Sequence, residues 1–217
     1  MLIEKFGLIS HATIQTLEMV FVSALFAVIV GLPLGVMLFI TRNSHLFKRP
    51  VLHSTLGFVV NVVRSIPFII LLVAITPITR FIVGTSIGTT AAMVPLALSA
   101  IPFFARLVES AISEVSVGLI EAALSMGAST FQIIVHVLIP EARATLVRGI
   151  TLMLITLVGY SAMAGAIGGG GLGNVAIMYG YERFEINIMI VTVVILIAMV
   201  QCFQLVGDYV AKQISNQ

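Results

Sequence analysis

Apolar residues fill this chain in long runs, interrupted at intervals by charges, prolines and glycines. Met19 to Thr41 is free of charge, and good helix formers extend the run backwards to Thr13, with Glu18 near the interface, so a first span is expected over residues 13–41. Residues 56–79 are apolar apart from Arg64, with Pro67 read as a tolerated kink, and predict a second span. A third is expected over 84–106, where Phe81 to Ala105 is uncharged but carries Pro95 and Pro102. Gly149 to Tyr181 is also uncharged, yet Gly165 to Gly173 is too glycine-rich to continue a stable helix, which ends the fourth span, 146–164, near Ala164. Residues 186–207, stopped by Asp208, supply the fifth. Each run is near the roughly 20 residues needed to cross about 30 Å of hydrocarbon.

The composition excludes a soluble core. The chain is 59% hydrophobic and 9% charged, with a mean hydropathy of +1.18, whereas soluble domains carry roughly a quarter charged residues. The first run is longer than the roughly 7–15 residues of a signal-peptide core and no small-residue cleavage site follows it, so it reads as a retained span. The fold class is therefore an all-α polytopic membrane protein of five transmembrane helices. Five crossings put the termini on opposite sides. Arg42, Lys48, Arg49, Arg106, Arg143, Arg148 and Lys212 fall on one side against Lys5, Arg80 and Arg183 on the other, with Arg64 inside the membrane. The basic excess marks the cytoplasm, giving an outside N-terminus and a cytoplasmic C-terminus.

The largest cytoplasmic connection, 106–148, is patterned rather than plain. Leu119 to Met126 are helix formers, Gly127 suits the left-handed position that ends a helix, and Ser129 or Thr130 can cap the next. Two short helices at an angle result. Leu119, Ala123 and Met126 share one face by their i, i+4, i+7 spacing, and Glu121 and Ser125 lie opposite. A helix resting on lipid headgroups favours basic residues on its polar side; Glu121 instead points to a protein partner.

This stretch resembles the cytoplasmic signature of ATP-binding-cassette importer permeases, in which Glu-Ala-Ala, three residues, Gly and nine residues precede Ile-x-Leu-Pro. Glu121, Ala122, Ala123, Gly127 and Pro140 stand in register, while Val137 and Ile139 replace the Ile and Leu. Arg64 to Leu72, Ile82 to Gly88 and Thr151 to Gly173 extend the likeness to the methionine-importer branch. The resemblance implies that residues 13–207 are an ABC transmembrane type-1 permease domain whose segment 117–140 forms coupling helices seated on an ATPase. It further implies a homodimer with two ABC ATPase subunits in a bacterial inner membrane, an extracytoplasmic substrate-binding lipoprotein meeting outer segments such as 173–186, and D- or L-methionine as the solute. A permease for another amino acid or small solute is the alternative.

The chain's own chemistry fits that division of labour. Lys5, Lys48 and Lys212 are its only lysines and none follows a glycine-rich loop, so no Walker A phosphate cradle is present and ATP is expected to act through a separate subunit, with no cofactor in this chain. Gly168 to Gly173 matches G-x-G-x-x-G in letters but follows an apolar helix rather than a strand. His11, His45, His53 and His136 have no zinc spacing, Cys202 is expected to be buried in the fifth span, and no carboxylate pair is expected at membrane depth. Neither catalytic nor metal residues are expected. A secondary transporter would carry intramembrane carboxylates or an internal repeat, and a membrane enzyme an assembled nucleophile and base; neither pattern is visible.

Two internal places remain. Arg64 enters about 12 Å into the second span and must face protein or water; it either pairs helices or lines a translocation path, with Asn61 on the same face. The end of the fourth span carries Tyr160, Ser161 and Met163, with small residues Gly159, Ala162 and Ala166 that permit close helix approach where two copies would meet. Met163 is either a packing residue or an outer gate, followed by glycines able to absorb backbone change.

Overall fold

A computed structural model describes residues 2–42 and 46–215, with side chains from Phe6 onward. His45 and the Lys5 side chain lie outside this description. The chain is helical: α1 (Leu2–Arg42), α2 (Pro50–Ser65), α3 (Phe68–Ala74), α4 (Thr76–Val83), α5 (Thr89–Ser113), α6 (Val117–Ser125), α7 (Thr130–Ile133), α8 (Ile139–Ala164), α9 (Gly171–Val175) and α10 (Ile186–Ser215). Strands are absent among the described residues. Four helical stretches, Phe6–Arg42, Thr89–Ser113, Thr130–Gly169 and Ile186–Ser215, are long and apolar enough to cross a membrane, and α2 with α3 makes a fifth if the bent pair is one span.

The core is built where α5 lies between α1 and α8, with Met19, Leu96, Phe104, Ile112, Met153 and Leu157 buried. Glycine sets the α1–α5 distance. A side chain at Gly31 would approach the Ile101 carbonyl to 2.9 Å, and one at Gly35 would meet Val108 Cβ at 2.6 Å. This small-x-x-x-small spacing on α1 packs the two backbones together, as membrane helices without a hydrophobic drive between them require. The opposite surfaces stay apolar and exposed, as at Leu25, Ile29 and Val194.

Several expected boundaries move. α1 starts at Leu2 rather than 13, and α10 runs past Asp208 to Ser215 because Asp208 is exposed and accepts a hydrogen bond from Gln204 at 2.8 Å. The third span begins at Thr89 rather than 84, since Gly84 (φ +82°) and Gly88 (φ +102°) shape a turn ahead of it. It also continues through Arg106 to Ser113, because that arginine is satisfied by packing partners instead of ending the helix. α8 starts at Ile139 rather than 146, and a π-helical turn, Ile134–Leu138, joins α7 to it without a break.

Pro67 does not kink a continuous helix. α2 and α3 meet at 98°. Ile66 is extended (ψ 121°), as a residue before proline prefers, and Pro67 caps α3. Cys202, expected in the core, is exposed on α10.

The glycine run folds back. α8 stops at Ala164, irregular turns follow through Gly169, and α9 returns against α8 so closely that a side chain on Gly165 would reach the Asn174 nitrogen at 2.5 Å. α1 caps the first turn of α9: the Gln15 side-chain oxygen accepts from Gly171 N–H and the Thr16 hydroxyl from Leu172 N–H, each at 2.9 Å. Gly88 N–H donates to the Gly168 carbonyl at 2.9 Å. In this conformation these glycines serve close backbone approach.

The contacts sort the connections into two ends. The start of α1, the turn before α5 and the α8–α9 knot share one. At the other, Arg49 N–H bonds to the Thr41 carbonyl, Thr145 donates to Glu114 at 3.3 Å, and Arg143 donates to the Ile214 carbonyl at 3.4 Å. The path from α2 to α4 starts at the second end and finishes at the first despite its bend.

Candidate functional site

At the second end, α6 and α7 form the patterned segment. Gly127 (φ +81°) ends α6: its N–H donates to the Leu124 carbonyl, and Ala128 N–H donates to the Ala123 carbonyl, a Schellman closure. Ser129 caps α7 through a reciprocal box, Gln132 N–H to the Ser129 hydroxyl and Ser129 N–H to the Gln132 side-chain oxygen at 2.8 Å. Pro140 opens α8 on the same segment. The angle between the two helices is thus set by local chemistry.

The faces differ from the heptad reading. Ala123 packs inward with Ile120, while the outward apolar residues are Val117, Leu119, Met126 at 82% exposure and Phe131 at 72%. Glu121 and Ala122 are exposed beside them. Spacing over two helical turns placed Leu119, Ala123 and Met126 together, but Met126 lies beyond the last helical residue, Ser125.

The second constellation lies at the α2–α3 break. Arg64 sits with its guanidinium carbon 5.9 Å from the Phe103 ring centre, and Phe68 stacks flat on Tyr160 at 4.5 Å. Together with Val63, Ile66 and Ser99 they line a cavity of about 210 Å³. The bend at Pro67 is what brings α2 and α3 to one side of α8. Phe68, Ser99 and Phe103 were not singled out from the sequence, and no spacing signal marks them, since they come from separate helices.

Other expected site residues lie elsewhere. Asn61 does not serve Arg64: its side-chain oxygen accepts from Arg106 at 3.0 Å, and the Gly57 carbonyl accepts from the same nitrogen at 3.1 Å. Arg106 also pairs with Glu109 at 2.6 Å, one turn along α5. Arg106 belongs to this clamp between α2 and α5 rather than to a cytoplasmic loop; its i, i+3 spacing to Glu109 was the available signal. Ser161 is buried with its hydroxyl on the Val158 carbonyl at 2.7 Å. Met163 is half exposed at the end of α8 and does not line the Arg64 cavity. Ala162 packs against Gly173 of the same chain, whereas Gly159 has nothing within 4 Å and is open to an outside neighbour.

Residues 27–216 match the family described as binding-protein-dependent transport system inner membrane component. The chain is 53% identical over 210 residues to the probable D-methionine transport system permease protein MetI of Vibrio cholerae, covering 97% of this chain and 93% of that one. The corresponding Pasteurella multocida protein is 46% identical over 210 residues, covering 97% of each. Among solved structures, an inward-facing conformation of the MetNI methionine ABC transporter superposes with a TM-score of 0.95 at 47% identity, covering 96% of this chain and 97% of that chain.

Proposed function

Because this chain belongs to the family of binding-protein-dependent transport system inner membrane components, we propose that it is the permease subunit of an ATP-driven importer, forming the pathway for methionine across a bacterial inner membrane. The observation that carries this reading is the α6–α7 segment: two short helices fixed by their caps, presenting Val117, Met126 and Phe131 outward beside Glu121. Exposed apolar surface outside the spans calls for a protein partner, and a chain without a phosphate-binding loop must take its work from one. α6 and α7 act as coupling helices on a separate ATPase, with Glu121, Ala122, Ala123, Gly127 and Pro140 as the contact segment.

The segment then faces the cytoplasm. The two-ended arrangement supports this: with Arg106 withdrawn into the clamp, Arg42, Lys48, Arg49, Arg143, Arg148 and Lys212 still outnumber Lys5, Arg80 and Arg183. Two copies surround the solute path, two ATPase subunits bind below, and an extracytoplasmic binding protein delivers methionine near 173–186. Arg64 and Tyr160 border the path, and Met163 narrows its outer mouth.

The test is co-purification followed by reconstituted uptake against a panel of amino acids. A stoichiometric ATPase subunit and methionine uptake are expected; a chain that purifies without an ATPase sinks the reading. Charge reversal by Glu121→Arg should leave assembly and ATP hydrolysis measurable while abolishing most uptake, and normal coupling in that variant removes the docking role.

A further inference from the structure

We propose that the cavity at the α2–α3 break is an α-amino-acid site inside the permease that reads the carboxylate and the side chain of the solute but not its ammonium group. The inference rests on the permease reading above and adds what the pathway recognises.

The cavity has two chemistries and lacks a third. Its cation is Arg64, which has no ion pair to a described carboxylate and is held only over the Phe103 ring at 5.9 Å. A guanidinium in that state offers its paired N–H donors to a carboxylate, the geometry it matches best. On the same cavity, Phe68 and Tyr160 stack on each other, and Phe103 adds a third ring. Aromatic faces and edges suit an unbranched apolar chain, and a thioether gains a sulfur–aromatic contact as well. The volume, about 210 Å³, is below the roughly 300–1,000 Å³ of drug-sized sites and suits a single amino acid.

No acidic residue lines the cavity. The one hydroxyl with a fixed partner there, Ser99, donates to its own helix at the Leu96 carbonyl, 2.8 Å away. An ammonium group finds no counter-charge. Because Arg64 is exposed on the single chain, the cavity is open on that side, and the ammonium is placed at its mouth. Only two of the groups around the α-carbon are then read, so exchanging hydrogen and ammonium on that carbon changes little. Either enantiomer therefore binds this cavity with similar strength.

The test uses the purified permease–ATPase complex without binding protein, labelled with a diazirine-bearing methionine analogue and mapped by mass spectrometry. Label is expected on peptides containing Phe68, Phe103 or Tyr160. D-methionine, L-methionine and 2-hydroxy-4-methylthiobutanoate, which lacks the ammonium, should compete within about threefold of one another, because the site leaves the differing group unread. Methioninamide, which lacks the carboxylate charge, should compete at least roughly tenfold more weakly. Arg64→Gln should cut labelling to a similar degree. If that variant fails to assemble, the analogue series on the unaltered complex decides. Label absent from these peptides, methioninamide competing as well as methionine, or a hydroxy analogue that does not compete overturns the proposal. Methionine uptake by the same unaltered complex separates this from the importer reading: uptake without cavity labelling overturns the site alone.

Discussion

Arg106 and Glu109 are the residues whose chemistry is most dependent on one another. Their side chains are 23% and 9% exposed, the pair closes at 2.6 Å, and the same guanidinium holds Asn61 and the Gly57 carbonyl. Removing one member leaves a largely buried charge without its partner, so Glu109→Gln should destabilise the chain by about 3 kcal/mol, read as a lower melting temperature in detergent. Glycine positions separate just as clearly. A methyl group on Gly35 would run into the Ala105 carbonyl and Val108, so Gly35→Ala should cost about 1–3 kcal/mol by overpacking. Gly159→Ala should leave that melting temperature unchanged, since nothing of the same chain lies within 4 Å. An altered dimer fraction in Gly159→Ala would place a second copy there.

At the scale of elements, the break between α2 and α3 positions the cavity. Proline favours it by disfavouring the helical conformation at Ile66, which is extended, and by removing its own N–H. Pro67→Ala should let α2 and α3 straighten, separating Arg64 from Tyr160; uptake should fall at least severalfold while the ATPase subunit remains bound. A variant with full uptake would show that the bend does not set the path. The α6–α7 corner depends on lighter interactions. Ser129→Ala removes a cap contributing about 1 kcal/mol, and the expected result is weaker coupling of hydrolysis to uptake with the spans intact, measured as ATP hydrolysed per methionine imported.

For the whole molecule, α1 starts at the end that holds the α8–α9 knot and α10 finishes at the other, the arrangement expected of five crossings with an outside N-terminus. Reporters active only in the cytoplasm should be silent at the N-terminus and active at the C-terminus; an active N-terminal reporter would reverse the arrangement. Opening and closing of the path belongs to this scale too. Met163→Ala should raise substrate-independent ATPase activity or leak, and no change in either removes Met163 as a gate.

The sequence by itself determined the helical class, the long apolar runs and the local joints. Hydrocarbon leaves a spanning backbone no partner but itself, so long apolar runs become helices wherever they later pack. The Gly127 closure, the Ser129 cap and the end of α8 at Ala164 are likewise decided within a few residues. Only the tertiary structure decided what charges and side chains do across those helices. Arg106 reads as a loop residue until α2 supplies the Gly57 carbonyl and Asn61, 49 and 45 positions away. Ala123 reads as part of the outward face with Leu119 and Met126 until α6 turns it inward with Ile120. The aromatic wall beside Arg64 joins residues from α3, α5 and α8. Such contacts depend on crossing angles and on how near glycine lets backbones come, and a local pattern of residues does not carry that information.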